Sequence, residues 1–444
     1  MLKQCVKKFI PRLFLSAYHK ALAIAANIIY WFPSHQLITI GVTGTKGKSS
    51  TVIMITRILE EAGFAVGSMN TVFFKIGGKE WQNNKKQGML GRFALQKMLR
   101  AMVRKKCTHA VIEVTSEGVA QHRHWGIAFD VLVFTNLTPE HIESHGSYER
   151  YRAAKQLVFR NLSKTRRKTI GGSQVKKVII ANAEDAEASQ FLKFKADEKW
   201  SVSSDPACLP VLKNNFEAHL CADEVKDTEQ GASLSLEGRY IQLPFHGAFM
   251  ARNALLAIAA SRSLGVALSA CEQALENMGP IPGRVEMLKT KSNATVIIDY
   301  AHEPQSFEAI FKLGRSLAGA HRVISVFGAT GGGRDAAKRP VMGALAGCHS
   351  DIIILTTDDP YDDDPQAIIN DILPGIAQSP KKWNQGKNLW SIVDRAQAIK
   401  RSLALAQSGD IVLLLGKGSE PVMAVAHGKH VPWSDRSVVE SLTS

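Results

Sequence analysis

A chain of 444 residues, 45% of them hydrophobic, is too long for one ordinary core and rich enough in apolar side chains to build two or three. The formal net charge of +15 suits an anionic partner. Basic and acidic residues are nevertheless mixed along most of the chain, without interleaved aromatics or tight Lys/Arg blocks, which argues against a nucleic-acid groove. The six cysteines, Cys5, Cys107, Cys208, Cys221, Cys271 and Cys348, form no C-x-x-C pair and show no zinc-like histidine spacing, so free thiols in a reducing cytosol are expected.

At the N-terminus Lys3, Lys7, Lys8, Arg12 and Lys20 precede the apolar run "ALAIAANIIYWF", and no acidic residue occurs before Glu60. The run is 12 residues long and interrupted by Asn27, too short to span a bilayer. Two readings stay open: an interfacial helix within residues 1–32 touching the inner face of an anionic membrane, or a helix packed on the domain that follows. After Pro33, "QLITIGVTG" reads as a short buried strand entering a glycine turn, and "SSTVIMITRILEEAGF" has helical apolar spacing. Strand-like runs recur at "HAVIEVT", "FDVLVFTNL" and "KVIIANAED", separated by helical stretches such as "GRFALQKMLRAMVRKK", and this alternation predicts a parallel α/β sheet. In "ENMGPIPGRVEML", Gly279, Pro280, Pro282 and Gly283 suggest a linker and a hinge. Four more strand-then-turn units follow, "TVIIDYAH", "RVISVFGAT", "DIIILTTDDP" and "DIVLLLGKGSE", with charged residues and glycines at the strand C-terminal ends, where open α/β sheets bind ligands. The expected division is a basic apolar appendage (1–37), a nucleotide domain (38–280) and a C-terminal α/β domain (281–444), with no internal repeat.

The loop "GVTGTKGKSS" has the glycines, lysine and hydroxyl of a phosphate-binding loop but not its usual spacing, because Val42 stands where that template wants a glycine. Its backbone N–H groups can cradle phosphate oxygens, Lys48 can reach the terminal phosphates and Ser49 can join a Mg²⁺ shell. Glu113 ends the strand of "VIEVTSEG", while "TNLTPEHIESHGSYERYRAAK" supplies Glu140, His141 and Lys155 after the next strand. A carboxylate and an imidazole at neighbouring strand ends can hold Mg²⁺ beside ATP phosphates.

Together these segments resemble the Mur ligase family, ADP-forming amide ligases of peptidoglycan synthesis with folylpolyglutamate synthases as cousins, and within it the tripeptide-synthetase branch. The family loop G-x-x-G-T-x-G-K-[ST] is met by Gly41, Gly44, Thr45, Gly47, Lys48 and Ser49, with Lys46 replacing the usual asparagine and Ser50 following. The resemblance implies a P-loop ATPase central domain with a mainly parallel sheet and a Rossmann-like α/β C-terminal domain. It implies ATP held by residues 44–50 and by Asn253 of "RNALLA", with Arg284 of "GRVEML" and Asp299 and His302 of "DYAHEP" closing on it. It makes Ser49, Glu113, His141 and a carbamylated Lys155 the Mg²⁺ ligands, and Lys48, Glu113, His141 and Lys155 the catalytic set. Thr115, Gln121 and Arg123 of "TSEGVAQHR" would contact the muramoyl-peptide acceptor, and Arg334, Asp358, Asp359 and Glu420 the amino-acid donor.

The chemistry so implied converts a carboxylate to an acyl phosphate that an amine then attacks, with C-terminal domain closure delivering the amine and excluding water. Several positions depart from the family pattern. Glu117 replaces a histidine, "QNNKKQGMLGR" replaces a threonine-threonine-proline substrate motif, and fewer than forty residues precede the loop where tripeptide synthetases carry a uridine-binding domain. The acceptor's linkage, to UDP, lipid or another protein, therefore stays open. Tyr361 in "DDPY" stands where diaminopimelate-specific members carry an arginine, so lysine or ornithine fits the acidic turn better; Asp362 to Asp364 read either as further acceptors or as a solvated loop. A cytoplasmic monomer without nucleic acid is expected. The competing readings are a folylpolyglutamate-synthase-like ligase and a membrane-tethered nucleotide-binding protein without ligase activity.

Overall fold

The computed structural model describes residues 12–85, 87–139, 145–205, 216–228, 230–333 and 336–443. His141 and Arg334, both singled out above, lie outside them, as does Glu140. The chain divides into two compact units, residues 1–278 and 279–444.

The first unit is organised by strands β1 (Ile38–Thr43), β2 (Val66–Met69), β3 (Phe73–Ile76), β4 (Lys79–Gln82), β5 (His109–Glu113) and β6 (Val131–Phe134). A small hairpin, β7 (Thr169–Ile170) and β8 (Ser173–Gln174), precedes β9 (Val178–Asn182), β10 (Glu198–Ser203) and β11 (Ala218–Cys221). The main sheet has the order β11-β10-β9-β6-β1-β5-β2-β3-β4. It is parallel from β11 to β2, and β3 and β4 close one edge as antiparallel strands. β5, β6 and β9 are buried along their whole length, which is why they read as unbroken apolar runs rather than alternating ones. The outermost strand, "KEWQ", is polar and blunts that edge.

Around this sheet run helices α1 (Arg12–Ile29), α2 (Lys48–Glu61), α3 (Arg92–Arg104), α4 (Ser116–Ala120), α5 (Tyr148–Lys164), α6 (Ala188–Leu192), α7 (Ala248–Arg262) and α8 (Leu268–Glu276). α7 is apolar nearly all round, with Leu255, Leu256 and Ile258 fully or almost fully buried, as a helix enclosed by the fold must be. Truncating such a residue to alanine costs about 2–5 kcal/mol. A separate three-stranded antiparallel sheet, β12 (Glu224–Thr228), β13 (Gly231–Leu236) and β14 (Arg239–Gln242), lies just before α7 in the chain.

The N-terminal helix α1 packs within this unit. Ser16 Oγ lies 2.8 Å from His122 Nε2, Asn27 Nδ2 donates to the Trp125 carbonyl at 2.9 Å, and Ala23 and Ala26 are buried. Of the two sequence readings for this segment, the described part meets the packed-helix one.

The second unit contains β15 (Glu286–Lys289), β16 (Thr295–Asp299), β17 (Val323–Phe327), β18 (Ile352–Leu355), β19 (Leu389–Ser391) and β20 (Ile411–Leu415), in the order β15-β16-β20-β17-β18-β19. All neighbours are parallel except β15 with β16. Its helices are α9 (Pro304–Ala318), α10 (Lys338–His349), α11 (Pro365–Ala377), α12 (Arg395–Leu405) and α13 (Asp435–Thr443), and a hairpin of β21 (Val422–Val425) and β22 (Lys429–Pro432) precedes α13. Insertion of β20 between β16 and β17 gathers the C-terminal ends of the central strands. A fully buried, two-pronged pair between Arg395 and Asp435, at 2.8 and 2.6 Å, fastens α13 to the domain. The fold is thus mixed α/β with large, mainly parallel sheets, as the alternation of runs predicts. Strands β2–β4, β10–β15, β19 and the two hairpins are additions to that prediction.

Candidate active site

The sheet order places β1 between β5 and β6, so the loop after Thr43 lies between the ends of those two strands, with Val42 opposite Glu113 and Thr43 opposite Phe134. Residues 44–47 then turn into α2. Gly47, the residue before that helix, has φ +81°, and a Cβ there would run into the Asn253 amide, so the position tolerates no side chain on either count. Asn253, in the first half of α7 and nearly buried, thereby sits against the loop.

The segment after β6 braces the loop by backbone recognition. Thr45 N donates to the Asn136 carbonyl at 2.9 Å and Lys46 N to Asn136 Oδ1 at 2.8 Å, while the Lys46 carbonyl accepts from Thr135 Oγ1 at 2.6 Å and Asn136 Nδ2 at 3.1 Å. The Thr45 hydroxyl lies 3.0 Å from Tyr151 OH and accepts from Thr138 N at 3.0 Å. Lys48 Nζ donates to the Thr45 carbonyl at 2.8 Å. Lys155, on α5 and 1% exposed, donates to the Gly44 carbonyl at 2.6 Å with its ammonium 4.6 Å from the Tyr151 ring centroid. Two lysines are thus directed at one glycine loop over the N-terminus of a helix, an arrangement that suits a polyphosphate.

Ser49 and Ser50 occupy the first turn of α2, both buried. Ser49 Oγ donates to Glu113 Oε2 at 2.8 Å, and that oxygen also accepts from Thr71 N and Thr71 Oγ1, each at 2.9 Å. The hydroxyl and the carboxylate that sequence reasoning paired as Mg²⁺ ligands are therefore in contact at the foot of the loop. Among the described residues no three His, Cys, Asp or Glu side chains converge on one point. A sparse protein shell of this kind fits Mg²⁺, which retains waters and takes phosphate oxygens for its remaining ligands.

The stretch after Glu113 forms a second cluster. The Thr115 hydroxyl caps α4, accepting from Gly118 N at 3.1 Å. Arg123 is held by Gln121 Oε1, at 3.3 Å from Nε and 2.9 Å from Nη2, and by the Met89 carbonyl at 2.5 Å. Arg92, which sequence reasoning passed over, donates to the Gln121 carbonyl from Nε at 3.1 Å and Nη2 at 2.6 Å. Burial pulls both guanidinium pKa values down, and Arg123 adds to the shift at Arg92, so an anion arriving here would relieve a strained concentration of charge. The two clusters are linked: Ser116 Oγ lies 3.2 Å from His145 Nε2, the His145 ring packs tilted against Tyr151 with centroids 5.3 Å apart, and Tyr151 meets Thr45.

In the second unit the sequence-predicted residues split into two groups. Asp299 serves the backbone, accepting from Val285 N at 2.8 Å and Ala301 N at 2.7 Å, while His302 Nδ1 donates to the Tyr300 carbonyl at 2.7 Å. Arg284 lies over the Tyr300 ring at 4.6 Å. Asp358, Asp359 and Glu420 converge on Lys417, with Nζ to carboxylate distances of 3.6, 2.8 and 2.7 Å. Lys417 is fully buried; burial lowers its pKa, but the three carboxylates outweigh that and hold it above its ordinary value. The proton on Tyr300 is held far more tightly than usual by Glu420, 3.3 Å from the hydroxyl, and by burial, and burial also raises the pKa of Asp358. Lys417 was legible only as the lysine of "GKGSE" between two glycines at the end of a buried strand. The run Asp362 to Asp364 is exposed, as the solvated-loop reading has it, and its carboxylates also tie down local backbone: Asp362 accepts from His427 N, Asp363 from Gly332 N, and Asp364 caps α11.

A phosphate loop at the centre of a parallel sheet, a hydroxyl–carboxylate pair at its foot and a second α/β unit with a charged strand-end cluster define an ATP-using ligase. Comparison with known proteins gives the family. The Mur ligase middle domain matches residues 42–261 and the Mur ligase glutamate ligase domain residues 283–418. A UDP-N-acetylmuramyl-tripeptide synthetase of Roseiflexus sp. is 36% identical over 433 residues, 96% of this chain and 82% of the relative. A UDP-N-acetylmuramoyl-L-alanyl-D-glutamate–2,6-diaminopimelate ligase of Clostridium botulinum is 32% identical over 430 residues, 96% and 82% of the two chains. Among solved structures, a ligase of the latter name superposes with a TM-score of 0.59 at 26% identity, over 92% of this chain and 78% of the other. A Mycobacterium tuberculosis folylpolyglutamate synthase shares the fold with a TM-score of 0.64 at 17% identity, over 89% and 92%. The chain belongs to the Mur ligase family of ADP-forming amide ligases.

Proposed function

We propose that this ligase joins an amino acid to the carboxylate of a muramoyl-peptide through an acyl phosphate, at the expense of ATP and in peptidoglycan precursor synthesis. The observation that carries the reading is the Ser49–Glu113 contact beneath a glycine loop onto which Lys48 and Lys155 both turn. ATP is held by residues 44–50 and Asn253. Ser49 and Glu113, together with His141, would hold Mg²⁺, which would supply charge neutralisation for the phosphates. Lys48 stabilises the transferring phosphoryl group and holds its charge in a site walled by backbone rather than water. Arg123, positioned by Gln121 and seconded by Arg92, orients the acceptor's carboxylates, and Thr115 keeps α4 and the strand end in register. Lys155 acts beside the loop and is carbamylated in the working enzyme, which would turn an ammonium into a carboxylate-like metal ligand.

In the second unit Arg284, Asp299 and His302 are assigned to ATP binding. Arg334, Asp358, Asp359 and Glu420 form the donor site. Three carboxylates around one lysine leave a surplus of negative charge, which favours a donor with a cationic side chain such as lysine. Tyr361, held at φ +52° with its N–H on the Ala424 carbonyl at 3.2 Å, offers no guanidinium to a distal carboxylate. The enzyme works as a monomer in the cytoplasm in this reading.

The test is phosphate release from ATP with UDP-N-acetylmuramoyl-L-alanyl-D-glutamate as acceptor and lysine, ornithine, meso-diaminopimelate and glutamate as donors, with mass analysis of the product. Release that depends on both substrates, with a mass gain of one lysine or ornithine, is expected. Release only with a folate acceptor would sink the muramoyl-peptide reading, and full activity of Lys155→Ala would remove the carbamate.

A further inference from the structure

Helix α1 presents large apolar side chains to water. Ser16 and Asn27 face the protein with the buried Ala23 and Ala26, Ser16 meeting His122 and Asn27 donating to the Trp125 carbonyl, while Lys20 is exposed at the flank of the outward face. The outward stripe is Phe14, Ala17, Tyr18, Ala21 and Ile28, at the i, i+3, i+4, i+7 and i+14 positions of one face, and it carries no charged side chain. Phe14 is 67% exposed, Tyr18 59% and Ile28 59%. The stripe continues into a turn that presents Trp31, 78% exposed, and Phe32, both at positive φ, angles that bulky residues seldom adopt. Arg100 holds that turn, donating to the Tyr30 carbonyl at 2.9 Å and the Trp31 carbonyl at 2.8 Å. An aromatic pair held outward in a disfavoured backbone conformation calls for something to cover it.

Charge identifies the cover. The first 37 residues contain five lysines and arginines and no aspartate or glutamate. On α3, which Arg100 ties to the end of α1, the face bearing Arg100 also bears Phe93, Lys97 and Arg104, all three exposed, and the helix has no acidic residue. Apolar side chains with tyrosine and tryptophan, flanked only by basic charge, match the boundary of an anionic bilayer. None of the described helices is long and apolar enough to cross a membrane, so the contact is peripheral. We infer that the outer face of α1, its Trp31–Phe32 turn and the basic face of α3 form a surface that docks on an anionic lipid membrane. The inference is independent of the ligase reading.

The full-length chain would be sedimented with phosphatidylcholine vesicles with and without phosphatidylglycerol. At least about tenfold tighter association with the anionic vesicles, weakening as salt is raised, is expected. The double variant Phe14→Glu/Ile28→Glu should lose about tenfold or more in vesicle binding, and Lys97→Glu/Arg104→Glu should lose the preference for phosphatidylglycerol. Both should melt as the parent does, because the replaced side chains are exposed, and should release phosphate at the parental rate. Equal or absent binding to the two vesicle types would overturn the inference, as would a glutamate pair that binds vesicles as the parent does. A parent that elutes as a dimer dissolved by Phe14→Glu/Ile28→Glu would also overturn it, by assigning the face to a second copy of the chain.

Discussion

Both units place lysines near the C-terminal ends of a parallel sheet, Lys48 part-buried and Lys155 and Lys417 buried, and give them opposite surroundings. In the first, Lys48 donates to the Thr45 carbonyl and the unmodified Lys155 to the Gly44 carbonyl, so the positive charge beside the loop rests on Lys48 once Lys155 is carbamylated. In the second, Lys417 sits among Asp358, Asp359 and Glu420, so its charge is more than cancelled. The same strand-end geometry therefore makes one site electropositive and the other electronegative. A ligase that must hold a polyphosphate and an amine needs that division, and the fold supplies it by which residue types follow the strands rather than by different backbones.

The largest effect should come from Lys417→Met, which leaves three carboxylates close together in a buried cluster. Chemical denaturation of the variant is expected to show a loss of about 3–5 kcal/mol, and a loss no greater than that of an exposed ion pair, about 1 kcal/mol or less, would break the contrast between the units. Lys48→Ala should change stability little and lower substrate-dependent phosphate release by about a hundredfold or more, since its contribution is to a developing charge rather than to the folded state. Glu113→Gln keeps an oxygen for Ser49 and Thr71 but loses the charge. Its apparent Mg²⁺ affinity should fall by about tenfold or more, read from phosphate release across a magnesium titration, and an unchanged titration would remove Glu113 from the metal site.

The smallest effect concerns acid stability, which the first unit should lose on its own account. Burial lowers His109 to about 4, and burial with His122 nearby lowers His124 to about 4, from an ordinary 6.5. Both stay neutral when folded and take up a proton when unfolded below 6.5, so unfolding binds protons and stability falls as the pH drops from 6.5 towards 4. By pH 5.5 the loss is about 1 kcal/mol per histidine, and His109→Gln should flatten that part of the curve of melting temperature against pH.

Much of this was readable along the chain because it is local. The phosphate loop is contiguous, with Gly44, Gly47, Lys48 and Ser49 in six residues of sequence, and the strands that carry it are buried on both faces and so spell unbroken apolar runs. The acidic turn at Asp358 and Asp359 was equally visible, but not what it does, because its cation arrives from Lys417, 58 residues further on. Asn136, Thr71, Tyr151 and Arg92 were passed over for the same reason: polar residues of ordinary type, their partners in other segments. The hairpin edge β2–β4 and the small sheet β12–β14 are short strands, β4, β12 and β14 largely exposed, whose mixed composition resembles loops until a neighbour pairs with them.

By itself the sequence determined the class of fold, the family and the identity of the phosphate loop, since periodicity, glycine spacing and motif order are properties of the chain. Only the tertiary structure decided that Glu113 meets Ser49, that Lys417 is the centre of the acidic cluster, and that α1 leaves Phe14, Tyr18 and Ile28 facing outward. Each of these is a distance between segments far apart in sequence, set by sheet order and helix rotation. No local pattern encodes such distances, because the free energy that fixes them comes from burying whole elements against one another.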